Sequence, residues 1–79
     1  MQTKVHYFAL FREQTGRDSE TVNWSGGTTA ELFQLMAEKH SALKMEVAAL
    51  VAVNDEMSGW QTALYDNDEV LFFPPVAGG

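Results

Sequence analysis

The residues of this 79-residue chain best suited to chemistry stand at its end, in Phe73-Pro74-Pro75-Val76-Ala77-Gly78-Gly79. Pro74 and Pro75 remove two backbone donors and fix φ, so a strand running into them must stop. Beyond them the side chains shrink to two glycines and a free carboxylate. Fully extended, Pro74 to Gly79 reaches about 20 Å, at about 3.3–3.6 Å per residue. The prolines stiffen the base of such an arm, and the glycines leave its tip slim and free of φ restriction. It can thread a narrow channel and present its carboxylate to another protein's active site. An α-carboxyl with a pKa of about 3.3–3.7 is ionised at neutral pH and is a poor acyl donor. Attack on the α-phosphate of ATP would activate it as an acyl-adenylate, from which a sulfur or amine nucleophile displaces AMP. On composition alone, a frayed and inert glycine-rich end is the competing reading.

The rest of the chain offers few catalysts. With no cysteine there is no disulfide, no thiolate metal site and no cysteine nucleophile. His6 and His40 are not spaced as metal ligands and read as structural or surface histidines. Ser19, Ser25, Ser41 and Ser58 lack the glycine pattern of a nucleophile elbow. Gly26-Gly27 lacks the lysine and glycine spacing of a phosphate loop and reads as a turn. Asp66, Asp68 and Glu69 crowd one turn, which solvation explains without a metal.

Eleven acids against five bases give a net charge of −6. The bases Lys4, Arg12, Arg17, Lys39 and Lys44 are scattered, so no basic stripe can track a phosphate backbone. Nucleic acid and anionic membrane are poor partners, and a basic protein surface is a better one. The same acids also keep a small protein in solution. Hydrophobic residues make up 46% of the chain, enough for one small folded domain. No apolar run approaches the roughly 20 residues of a membrane-spanning helix. Met1-Gln2-Thr3-Lys4 lacks the features of a signal peptide, so the expected location is the cytoplasm.

These residues must be positioned by a small set of elements. Val5 to Phe11 reads as a strand, with Val5, Tyr7 and Ala9 on one face and His6, Phe8 and Leu10 on the other. Arg12 to Gly16 reads as a helical turn stopped by glycine. Ser19 to Trp24 alternates and makes a second strand, antiparallel to the first. Thr28-Thr29-Ala30-Glu31 fits a capping box, opening a helix that carries Leu32, Phe33, Leu35, Met36 and Ala37 and ends near His40. Ala42 to Ala49 has helical spacing but no start signal and stays unassigned. Leu50 to Asn54 reads as a short buried strand, Gln61 to Tyr65 as a short edge strand, and Asp66-Asn67-Asp68 as a turn with Asn67 left-handed. Glu69 to Phe73 is the last and strongest strand. Strands before and after one main helix give an α+β fold, a mixed sheet with that helix packed on one face. With the apolar first and last strands side by side in the middle, this is a β-grasp, ubiquitin-like arrangement. The domain spans residues 1–73, and residues 74–79 form the extended Gly-Gly tail.

Asp68-Glu69-Val70-Leu71-Phe72-Phe73-Pro74-Pro75-Val76-Ala77-Gly78-Gly79 closely resembles the end of the small subunits of molybdopterin synthase, a family of ubiquitin-like sulfur carriers. Lys4 to Glu13 resembles that family's first strand and turn, and Ala52-Val53-Asn54 its central strand. The resemblance spans the chain but is specific mainly at its ends; residues 41–49 and 57–64 carry little signature. It implies that an ATP-dependent enzyme adenylates Gly79 and that a sulfur relay makes it a thiocarboxylate. The tail then enters the large subunit of the synthase, in an assembly of two large and two small subunits. There sulfur passes to cyclic pyranopterin monophosphate. It further implies that Gly79 bears the sulfur, that Gly78 is the slim position in the channel, and that Pro75, Val76 and Ala77 line the inserted segment. Phe8, Met57 and Phe73 fall on the family's apolar docking surface, Met57 by counting past Asn54. ATP is used by the activating enzyme, and no cofactor is bound by this non-catalytic carrier subunit. The family often has Asp-Gly-Asp where this chain has Asp66-Asn67-Asp68, and asparagine tolerates the same backbone.

Other acceptors, the thiamin thiazole or a thiolated nucleoside, remain alternatives within the fold; the proline pair argues against the thiamin carrier. A protein modifier joined through Gly79 to a lysine, and an interaction domain with an inert tail, are alternatives of other classes.

Overall fold

The computed structural model describes residues 1–43 and 49–74. Along the chain run β1 (Gln2–Tyr7), α1 (Ala9–Thr15), β2 (Ser19–Asn23), α2 (Thr29–Lys39), β3 (Leu50–Val53), β4 (Glu56–Ser58) and β5 (Glu69–Phe73). The strands form one 5-stranded sheet in the order β2-β1-β5-β3-β4. β1 and β5 pair in parallel, while β1 with β2, β3 with β5 and β3 with β4 pair antiparallel. The first and last strands therefore lie side by side at the centre, and the fold is an α+β β-grasp. Among the described residues no helix is long and apolar enough to cross a membrane.

The core follows from alternation. Val5 and Tyr7 on β1, Val51 on β3, and Val70 and Phe72 on β5 all point to one face of the sheet and are buried. Against them α2 lays Leu32, Phe33 and Met36. Phe33 meets Phe72 edge-on at 4.9 Å and Phe11 at 5.4 Å. The capping box forms as the sequence suggests. Thr28 Oγ1 accepts from the Glu31 amide at 3.2 Å, and Glu31 Oε1 accepts from the Thr28 amide at 2.8 Å. The helix ends at Lys39, and the His40 amide donates to the Met36 carbonyl.

Two readings from sequence are corrected. The strand expected over Val5 to Phe11 begins at Gln2 and stops at Tyr7, and Ala9–Thr15 is helical. Phe11 drives this: as a helix residue it reaches the core and is fully buried, whereas the strand register would leave Ala9 inward and Phe11 beyond the sheet. Gly16, at φ 75, does stop that helix, its amide donating to the Arg12 carbonyl. The edge strand expected over Gln61 to Tyr65 is instead β4, Glu56–Ser58. Asn54 and Asp55 both take positive φ, 51 and 69, and so turn the chain straight back on β3. The later segment spends its backbone groups on the start of α2. Thr29 and Ala30 donate to the Thr62 and Trp60 carbonyls, and Leu64 donates to that of Gly27. Only an isolated bridge from Ala63 to Thr28 remains there. Asn67 is left-handed as expected, at φ 70. The unassigned stretch 42–49 falls mostly on residues 44–48, outside the described residues, with Leu43 and Ala49 buried on either side.

Candidate functional site

Both helices pack on one face of the sheet, and among the described residues no helix covers the other. Alternation along β5 turns Leu71 and Phe73 toward it as Val70 and Phe72 go to the core. Register extends this into rows across the strands. Leu71 stands opposite His6 on β1 and Ala52 on β3, and Ala52 opposite Met57 on β4. In the next row Phe73 stands opposite Leu50. Phe8, the residue between β1 and α1, stacks on Phe73 with ring centroids 4.8 Å apart and 11° between the planes. Phe8 is 40% exposed, Leu50 51% and Met57 62%. Ala52 is only 4% exposed although it faces out, as a methyl between larger neighbours is.

The three docking residues anticipated from sequence thus share one surface. Phe8 and Phe73 are in contact, and Met57 stands on the same face at the sheet edge. Leu50 and Leu71 complete this apolar platform and were missed. Leu71 was legible in the alternation of β5, but Leu50 needed the pairing of β3 with β5. β5 ends at Phe73, so the chain leaves the platform through Pro74, the last described residue of this stretch. The sulfur-bearing and tail-insertion positions expected from sequence, within Pro75 to Gly79, lie outside the described residues.

Away from the platform the open face becomes polar. His6 Nε2 lies 2.9 Å from Glu69 Oε1, at the border with Leu71. On the covered side, the carboxylate of Glu20 is buried and surrounded by donors. Tyr7 Oη donates to Oε2 at 2.6 Å and Lys39 Nζ to Oε1 at 2.7 Å. His40 Nε2 lies 2.6 Å from Oε2, and Arg17 Nη1 3.5 Å from Oε1. Burial alone would raise the pKa of Glu20. The hydrogen bonds from Lys39, Tyr7 and His40 and the charge of His40 outweigh it and bring the value down to about 2. Burial, then the hydrogen bond to Glu20, push the Tyr7 phenol well above its usual range. His40 therefore serves the fold, tying the end of α2 to β1 and β2.

The remaining sequence candidates form no site. Among the described residues no three His, Asp or Glu side chains gather where they could hold a metal ion. Gly26 and Gly27 have φ 96 and 150, and the carboxylate of Glu31 sits against Gly27, filling the space at the start of α2 that a phosphate would need. Asp66, Asp68 and Glu69 are spent on turn and surface contacts: Asp66 accepts from the Gln2 amide, Asp68 from the Tyr65 amide and the Asn54 side chain, and Glu69 meets His6.

A family model described as the ThiS family matches residues 5–79. The chain belongs to the ThiS family. The match takes in Phe8, Met57 and Phe73 and runs to Gly79, so the platform and the tail fall within one ThiS-family domain. A molybdopterin synthase sulfur carrier subunit of Escherichia coli (strain K12) is 42% identical over 79 residues, covering 96% of this chain and 98% of its own. Another of that name, from Chlamydomonas reinhardtii, is 39% identical over 83 residues and covers 100% of both. The crystal structure of SAMP1 from Haloferax volcanii superposes with a TM-score of 0.86 at 24% identity, covering 100% of both chains. That last likeness bears on the fold, and it places the ThiS-family chain among β-grasp proteins.

Proposed function

We propose that this chain is the sulfur-carrier subunit of a molybdopterin synthase. The observation that carries the reading is the identity of 42% and 39%, along essentially whole chains, with proteins of that name. The architecture supports it. A central strand ends at an exposed apolar platform and continues into a proline, so a slim arm starts from a rigid base beside a surface fit for docking.

In this reading the carboxylate of Gly79 attacks the α-phosphate of ATP on a separate activating enzyme, and pyrophosphate leaves. A sulfur donor then displaces AMP to give the thiocarboxylate. The chain contributes no acid or base to these steps and binds no cofactor; it supplies the acyl group, and ATP is held by its partner. The platform of Phe8, Phe73 and Met57 next docks on the synthase large subunit, in an assembly of two large and two small subunits. Pro75, Val76 and Ala77 line the channel, Gly78 passes its narrowest point, and sulfur is handed to cyclic pyranopterin monophosphate. Proximity supplies the rate, since the thiocarboxylate arrives held at its acceptor. The work is done in the cytoplasm.

The test is the mass of the intact chain after incubation with a molybdopterin-type activating enzyme, ATP and a sulfur source. A gain equal to one oxygen-for-sulfur exchange, located on Gly79 by fragmentation, is the expected result. An unchanged mass, with the enzyme active on its own partner, overturns the reading.

A further inference from the structure

The chain has four methionines and no cysteine, so methionine is the one side chain that carries oxidisable sulfur, and the carrier not loaded with sulfur holds no other. Met45 lies outside the described residues, and the surroundings of the other three differ. Met36 is 1% exposed in the core, and Met1 is partly buried against it. Met57 is 62% exposed, on the 3-residue edge strand β4, and faces the same side as Leu71, Phe73 and Leu50. Its register partner is the small Ala52, which adds no bulk to shield it from water or from a dissolved oxidant.

We infer that Met57 is an oxidation site through which peroxide controls docking of the open sheet face. The inference rests on the docking role proposed above. The thioether sulfur attacks one oxygen of hydrogen peroxide, the O–O bond breaks, and hydroxide leaves to collect the proton of the transferred oxygen as water. Sulfur loses two electrons as a sulfur–oxygen bond forms, and peroxide gains them. The product replaces a flexible apolar side chain by a polar, chiral sulfoxide. Covering that dipole with an apolar partner surface strips its water without replacing the hydrogen bonds. The core is untouched, because Met57 contributes nothing to it, so the fold persists and only association weakens. A dithiol-dependent reductase removes the oxygen as water and restores the thioether.

The experiment exposes the carrier to a graded series of hydrogen peroxide concentrations. Oxidised residues are located by peptide mapping, and binding to the synthase large subunit is measured by calorimetry. Met57 should oxidise before Met36 and Met1, affinity should fall by about tenfold or more, and the thermal midpoint should hold. A methionine sulfoxide reductase should restore binding, and Met57→Leu, treated alike, should keep it. Earlier oxidation of Met36 or Met1, or full affinity with Met57 oxidised, overturns the inference. Met57→Asp without oxidant separates the two readings. If it lowers affinity while the sulfoxide does not, the oxidation switch alone fails; if it leaves affinity unchanged, the docking role fails with it.

Discussion

The ring of Phe8 lies flat on that of Phe73, 4.8 Å between centroids. They come together because β1 and β5 are parallel neighbours and leave the sheet at the same pole. Phe8 turns out of the sheet just before α1, and Phe73 just before Pro74. A stacked pair of one exposed and one half-buried ring therefore stands where the chain passes from β5 into Pro74.

Replacing either ring tests that platform. Phe8→Ala or Phe73→Ala should weaken binding to the large subunit by about 1–3 kcal/mol. Calorimetry on the purified partners measures this, and unchanged affinity would return both rings to a purely structural role.

The buried carboxylate of Glu20 should make stability depend on acid. Its folded pKa of about 2 lies below the ordinary 4.5, so its contribution is complete above 4.5 and is lost as pH falls toward 2. The shift corresponds to about 3 kcal/mol for a side chain this well buried. Urea titrations across that window should show wild type losing stability with a slope that Glu20→Gln lacks. Parallel curves would show that the carboxylate is not held by its donors.

Adding one residue after Gly79 should abolish sulfur transfer and leave the fold intact, because the reactive carboxyl is then displaced from its acceptor. Synthase turnover and circular dichroism on the same sample measure both halves. Full activity of the extended chain would sink the mechanism.

Asn54 holds β4, and with it Met57, in place. Its side chain donates to Asp68 Oδ1 at 2.9 Å and accepts from the Glu69 amide at 2.9 Å, while its backbone takes φ 51. Asn54→Ala loses both bonds and strains the turn, and should cost about 2–3 kcal/mol by chemical denaturation. Asn54→Gly keeps the turn and should cost less. Equal losses would show that the backbone conformation carries none of the effect.

Local rules carried the sequence reading where one residue decides a feature. Thr28 and Glu31 announce the start of α2, Gly16 the end of α1, and Asn67 the turn before β5. They failed where long-range packing decides. Ala9-Leu10-Phe11 is as apolar as a strand, and only the reach of Phe11 to Phe33 makes it a helix. Asn54-Asp55 looks like the end of a strand until both residues prove left-handed and return the chain as β4. Glu20 shares the inward face of β2 with the buried Val22, yet its donors Lys39 and His40 stand at the far end of α2, where no local pattern links them to it. The platform was half visible for the same reason: Phe8 and Phe73 lie in marked segments, whereas Leu50 joins them only through β3.

The central place of β5 has a mechanical consequence. Its ladder to β1 runs parallel and its ladder to β3 antiparallel, one on each side. A pull applied beyond Pro74 and directed along the strand loads both ladders in shear, so their hydrogen bonds must yield together. An edge strand drawn the same way peels open one bond at a time. Force applied to the chain where it leaves the centre of the sheet at Pro74 can therefore be borne without unravelling the domain.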